Sequence, residues 1–228
     1  MKLAIFDLDG TLTATTAVDS DCFARAFSDE FGFAIDTNWD AYPHPTDSGI
    51  IHHNLQSAFG RPATCAEVER FKAKFLQLLA HALANEPSSF RAVEGASAAL
   101  TKLGQAQDWC IAIKTGSWRA SAQFKLAAAG IDATGIPAAF SDDAEAHDEI
   151  VRTAIARANA QYRTKFSEIV LIGDAMRDLT AARKLSLAFV GVDTHKILRD
   201  AGAAVVIDDF RNFDSFLNSL TQSLASPR

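Results

Sequence analysis

Residues 4–13 read AIFDLDGTLT, three apolar residues running straight into two carboxylates one residue apart and then a Gly-Thr turn. Ala4, Ile5 and Phe6 have the character of a buried strand end. Asp7 and Asp9 alternate with Leu8, so on an extended backbone both carboxylates point to the same side. Like charges held that close repel and perturb each other's pKa. A fold tolerates such a pair where a cation or a reaction uses it. A plain Asp-Gly turn explains Asp9 and Gly10, with Gly10 supplying an unusual backbone angle, but it leaves Asp7 without a role.

The 228 residues suffice for one large domain or for a core with an insertion. A hydrophobic share of 48% with 22% charged residues fits a globular protein with a real core. The formal net charge of −6 argues against a nucleic-acid binder. Cys22, Cys65 and Cys110 are odd in number and widely spaced, which gives neither a disulfide framework nor a zinc-ligand pattern and fits a reducing cytoplasm. The N-terminal MKLAIFDLDG reaches a carboxylate by residue 7, too early for the apolar stretch of a signal peptide. No run approaches the ~18 apolar residues of a membrane span, so neither membrane nor nucleic acid is an expected partner.

Short apolar runs at Leu3–Phe6, Trp109–Ile113, Ile169–Ile172, Leu187–Val192 and Ala204–Ile207 predict buried strands, with a weaker one at Ala138–Phe140. Helical patterns separate the later runs, at Ser117–Ala129, Ala146–Ala160, Ala175–Leu185 and His195–Ala201. Phe213–Leu224 reads as a last amphipathic helix, and Pro227 near the end reads as frayed. Strands alternating with helices predict a doubly wound, parallel α/β sheet. From about Thr15 to Pro87 the texture changes to helical spacing alone. Phe23, Phe27 and Phe31 recur every four residues, and Phe71, Phe75, Leu78, Leu79, Ala82 and Leu83 do the same, stripes that read as packing faces. A helical insertion of about 70 residues between the first two core strands follows.

In such sheets ligands sit beyond the carboxyl ends of the strands. The first strand end offers Asp7, Asp9 and Thr11. The second, WCIAIK, runs into Thr115-Gly116-Ser117 at a helix start, a hydroxyl and free N–H groups suited either to phosphate oxygens or to an ordinary helix cap. The fourth, IVLIG, runs into GDAMRD, where Asp174 and Asp178 share a helix face. A second strand-end acid facing Asp7 makes a site for a hard cation credible.

These residues carry a resemblance. FDLDGTLT at 6–13, KTGSW at 114–118 and IGDAMRD at 172–178, in that order, resemble the motifs of the haloacid dehalogenase-like superfamily, in its phosphatase branch. The resemblance implies an α/β core over 1–14 and 88–228 with a helical cap over 15–87. It implies Asp7 as nucleophile, Asp9 as general acid and base, and Thr11, Thr115 and Gly116 as phosphoryl ligands. It further implies Mg2+ at Asp7, the Asp9 carbonyl and Asp174, with Asp178 behind the metal shell. An acid two residues after the nucleophile favours phosphate chemistry over dehalogenation, since a halide leaves without a proton.

One departure stands out. The family carries a Lys or Arg after the third strand, where this chain has AAFSDDAEAHDEIVR. His147 is the best positional match, either as the missing cation or as an exposed helix-start residue, with Lys125 and Arg152 as alternatives. In the loop YPHPTDSG, His44, Thr46, Asp47 and Ser48 are candidates for facing the substrate, or for simply capping a helix, and Trp118 and Arg119 lie within possible reach. The expected function is a cytoplasmic, Mg2+-dependent phosphatase of a small phosphorylated metabolite. A phosphomutase, a phospho-acceptor module, or a catalytically weak binding protein lacking its lysine are the rival readings.

Overall fold

The computed structural model describes residues 1–193 and 197–225. Six parallel strands form one sheet: β1 (Lys2–Phe6), β2 (Trp109–Lys114), β3 (Ala138–Ala139), β4 (Ile169–Gly173), β5 (Ala188–Val192) and β6 (Val206–Ile207), in the spatial order β3-β2-β1-β4-β5-β6. This is the doubly wound sheet that the alternation predicts. The two edge strands are the shortest, which limits exposed, unpaired backbone.

Register explains the apolar runs. Ala4 and Phe6 pair with Ile111 and Ile113 and pack into one cluster; Leu3 and Ile5 pair with Cys110 and Ala112 and pack into the other. Both faces of the central strands are covered, so alternation gives way to continuous apolar sequence. The covering helices are α4 (Ala96–Gly104), α5 (Arg119–Ala128), α6 (His147–Gln161), α7 (Met176–Lys184), α8 (Ile197–Asp200) and α9 (Phe213–Ala225). α4 was not anticipated. Its apolar face is only Ala96, Ala99, Leu100 and Leu103, and its interior is rich in alanine. The expected start of α8 at His195 and the frayed end at Pro227 lie outside the described residues.

Between β1 and β2 the chain runs through α1 (Thr16–Phe31), α2 (Asp47–Phe59) and α3 (Cys65–Asn85). The two aromatic stripes meet here: Phe71 of α3 lies 5.0 Å from Phe23, 4.8 Å from Phe27 and 5.9 Å from Phe31. The packing role expected of these stripes is therefore what they have. The cluster also takes in Trp118, from the turn after β2. α3 begins with a capping box, Thr64 and Glu67 bonding each other's backbone N–H.

The strand order reverses between β1 and β4, so the crevice at their carboxyl ends is where such a sheet binds ligands. Asp7 and Asp174 follow those two ends directly.

Phe71 is completely buried and packs against the rings of Phe23, Phe27, Phe31, Phe75 and Trp118. Phe71→Ala is expected to cost about 3–5 kcal/mol, read as a fall in the midpoint of urea denaturation. A loss below ~1 kcal/mol would show that the aromatic cluster does not hold these helices.

Candidate active site

β1 ends at Phe6, and the next residues turn instead of extending. Leu8 stays in the core, while Gly10 adopts φ of 85°. A methyl at Gly10 would collide with the Asp174 carboxylate, so this position combines a left-handed backbone with close approach, both of which favour glycine. The turn separates the two carboxylates that an extended strand would have placed together. Asp7 and Asp9 line one cavity of about 70 Å3 with Thr115, Gly116 and Ser117, yet each carboxylate has its own lysine.

Lys114, the last residue of β2, is fully buried, and its Nζ lies 2.9 Å from Asp7 Oδ1. The same ammonium donates to Asp178 Oδ1 and lies 2.6 Å from His147 Nε2. Burial pushes the Asp7 carboxyl up to about 6 against the pull of Lys114. Asp178 is also buried, but the Lys114 charge overcomes burial and holds it far below the ordinary carboxylate range.

Lys125 of α5, also fully buried, reaches Asp9 Oδ2 and Asp19 Oδ1 at 2.5 Å each and Ser117 Oγ at 2.8 Å. Asp9 further accepts from Thr15 Oγ1 at 2.6 Å and Ser117 Oγ at 3.1 Å. Burial alone would raise the Asp9 carboxyl; the Lys125 charge and these bonds lower it instead.

Several expectations are corrected by these contacts. His147 is not the cation beside Asp7. Burial, reinforced by the Lys114 charge, lowers its pKa to about 4, so the ring is neutral at physiological pH. Lys114 supplies the positive charge. Arg152 is remote from this group, pairing with Glu149 in the exposed part of α6. Asp178 does not present itself as a metal ligand, because its carboxylate is engaged by Lys114, by His147 and by the Ala175 N–H. Thr11 does not line the cavity; its Oγ1 donates to Asp174 Oδ1 at 3.3 Å.

In the loop before α2, the four candidates separate. Asp47 lines the cavity and accepts from the Trp118 N–H at 2.8 Å. Thr46 caps α2 and donates to the Glu145 carbonyl at 2.8 Å. Ser48 donates two 2.8 Å bonds to Ser141, from its backbone N–H to the hydroxyl and from its own hydroxyl to the carbonyl. His44 is exposed beside a neighbouring cavity. Trp118 is buried among the aromatic rings, and the Arg119 guanidinium sits 4.4 Å over Phe140, so neither reaches the cavity wall.

The donor set fits a hard divalent cation. Burial and the Asp7 charge raise the Asp174 carboxyl well above its ordinary value, as expected of an acid with no ion pair of its own; Asp174 lines a neighbouring cavity with Gly10 and not the one of Asp7 and Asp9. Asp7, His147 and Asp178 also lie close enough to bracket an ion, but the Lys114 ammonium contacts all three.

The match to a family model decides the lineage: residues 4–192 match haloacid dehalogenase-like hydrolase. The chain belongs to this family. Among solved structures it is similar to a hydrolase from Pseudomonas syringae (23% identity, 96% of this chain and 98% of that one, TM-score 0.68). It is also similar to a putative beta-phosphoglucomutase from Bacteroides vulgatus (20%, 99% and 91%, 0.68) and a predicted phosphoglycolate phosphatase from Haemophilus somnus 129PT (20%, 95% and 98%, 0.65). At these identities the likeness is one of fold. No curated protein matches the chain. Among the described residues, no helix is long and apolar enough to cross a membrane.

Two measurements check this electrostatic arrangement. Lys114→Met leaves Asp7 and Asp178 buried and unpaired and is expected to cost about 3–5 kcal/mol of stability at pH 7; an unchanged thermal midpoint would refute the pairing. His147 has a folded pKa below its unfolded one, so below pH ~6.5 the unfolded chain takes up a proton that the folded chain refuses. Its contribution is therefore lost as pH falls from about 6.5 towards about 4. His147→Gln should be less acid-sensitive than the native chain over that window, by up to about 3 kcal/mol in urea unfolding. Parallel pH profiles would mean that His147 titrates normally.

Proposed function

We propose that this hydrolase is a phosphatase that transfers the phosphoryl group of a small phosphorylated metabolite first to Asp7 and then to water. The observation that supports it most is the joint placement of Asp7, Asp9 and the Thr115–Ser117 turn on one small cavity. The Asp7 carboxylate attacks phosphorus and the ester phosphorus–oxygen bond breaks, its electron pair going to the alcohol oxygen, which gives an aspartyl phosphate; water then attacks phosphorus, releasing phosphate and the Asp7 carboxylate. Lys114 steadies the carboxylate and offsets charge on the transferring group. The Thr115 hydroxyl and the Gly116 N–H receive the phosphoryl oxygens, since the Thr115 and Ser117 N–H groups already donate to the Ala139 carbonyl and to Thr115 Oγ1.

Asp9 serves the proton. As held by Lys125, Thr15 and Ser117 it is a carboxylate, ready to take a proton from the hydrolytic water; protonating the leaving oxygen first requires loosening that grip. Mg2+, held by Asp7 and Asp174 with the Asp9 carbonyl, would supply compensating charge for the phosphoryl oxygens. Residues 15–87 act as a cap on a core of 1–14 and 88–228, excluding water from the cavity. Asp47, as the cap acid on the cavity wall, takes part in substrate selection, with Thr46 and His44 shaping its loop.

The phosphomutase reading keeps support from the fold likeness to a putative beta-phosphoglucomutase. The catalytically weak reading loses its ground, because it rested on a missing lysine and Lys114 supplies one.

Asp7→Asn is expected to abolish phosphate release while the protein keeps its circular dichroism spectrum. Chelation of divalent cations should silence the native enzyme, and added Mg2+ should restore it. Steady inorganic phosphate production without a bisphosphate activator would separate phosphatase from mutase. Turnover by Asp7→Asn at near-native rate would overturn the proposal.

A further inference from the structure

The family motif IGDAMRD contains a cation that neither metal binding nor phosphoryl transfer uses. Arg177 is the second residue of α7, in the first turn, where a positive charge opposes the helix dipole. Its side chain is partly buried and lines the cavity shared by Asp7, Asp9 and Thr115. It also lines a second cavity of about 490 Å3, together with Asp40, His44, Pro45, His147 and Lys184. Among the described residues, the guanidinium makes no hydrogen bond and no ion pair.

That isolation contrasts with the two buried lysines, each of which meets two carboxylates. Burial disfavours the Arg177 charge, and Asp178, Asp7, Asp174 and Asp40 more than restore it from a distance. Three of those acids are committed elsewhere, Asp178 and Asp7 to Lys114 and Asp174 to Thr11, while Asp40 is exposed at the larger cavity. A guanidinium carries five donors in a planar fork that matches carboxylate or phosphate oxygens. Leaving them unspent in a partly dry site is costly, whereas an acceptor on a ligand would use them.

The cavities indicate where that acceptor sits. About 70 Å3 holds a few water molecules, enough for a phosphoryl group and little more. One flank sets Asp9, Asp19 and Asp47 against the single charge of Lys125 and disfavours a second negative group; Arg177 and Pro45 form the boundary with the larger cavity, where Lys184 pairs with Asp148 and Asp40 is exposed. The rest of a substrate has its favourable exit past Arg177.

We propose that Arg177 receives a second anionic group, carboxylate or phosphate, carried on the leaving part of the substrate. The preferred substrates are then phosphomonoesters whose alcohol portion is itself an acid. This inference rests on the phosphatase reading, but binding can test it without turnover.

Calorimetry on the full chain with Mg2+ compares phosphonoacetate with methylphosphonate, neither of which has an ester bond to hydrolyse. Native protein should bind phosphonoacetate at least about tenfold more tightly, roughly the value of one charge-assisted contact. Arg177→Gln should bring that ratio close to one, and Arg177→Lys should fall between. Phosphate release from a phosphocarboxylate, a bisphosphate and an uncharged-tail monoester then identifies the second anion by the ratio of kcat/KM values. Equal binding of the two phosphonates by native protein overturns the inference, with no variant needed. So does a preference that survives in Arg177→Gln. Should that variant fail to fold, the native ratio and Arg177→Lys still decide. If no ester is hydrolysed while the binding preference depends on Arg177, the phosphatase reading fails and the anion site stands.

Discussion

The buried ammonium of Lys114 is the constraint around which the catalytic end of the sheet is arranged. It arrives on the last residue of β2 and touches Asp7 after β1, His147 at the start of α6 and Asp178 in the first turn of α7. Four segments remote in sequence meet at one nitrogen. A bare ammonium in this position would be prohibitively costly, and so would either carboxylate alone. The group is stable only when complete, which ties the geometry of the candidate nucleophile to the correct packing of two helices.

A second lysine repeats this logic on the other wall. Lys125 joins Asp9 to Asp19, and Asp19 belongs to α1, among the inserted helices. Giving each carboxylate of the FDLDG stretch its own counter-charge removes the mutual repulsion that their spacing suggests, and it also differentiates them. Asp7 is pushed up to about 6 by burial, whereas Asp9 is held below its ordinary value. Two acids one residue apart thereby gain different proton affinities, which suits a nucleophile and a proton carrier that work in sequence.

Much of this was legible in the sequence because strand ends are where apolar runs stop, and chemistry gathers there. The sheet and the placement of Asp7, Asp9, Thr115 and Asp174 followed from that rule. Lys114 is less legible, because the apolar run ends at Ile113 and the motif after it draws attention to Thr115, although a lysine closing an otherwise apolar run is itself a signal. Its partners lie 33 to 107 residues away in either direction, at Asp7, His147 and Asp178, and only the fold shows that they converge. The family's position after β3 drew the search for a cation to His147. The structure places a neutral imidazole there because the charge had already been delivered from β2. Thr46 and Ser48 show the opposite case, where candidate substrate contacts are tied to the protein itself.

Those ties give the inserted helices a direct hold on the turn after β2. Trp118 donates its backbone N–H to Asp47 and its indole N–H to Ser48, each at 2.8 Å, while its ring packs against Phe23 and Phe71. The Asp47 N–H in turn donates to the Gly116 carbonyl at 2.8 Å, and Gly116 faces Pro45 and Thr46 closely enough that a methyl there would be tight. The Thr115–Ser117 turn is thus clamped between the sheet below and the insertion above. Movement of the inserted helices cannot leave that turn undisturbed, since two of the bonds that hold them, between Asp47 and Gly116 and between Trp118 and Asp47, are bonds to the turn and the residue after it. The aromatic stripes that looked like packing in the sequence are packing, and through Trp118 that packing also sets the shape of the Thr115–Ser117 turn on the cavity wall.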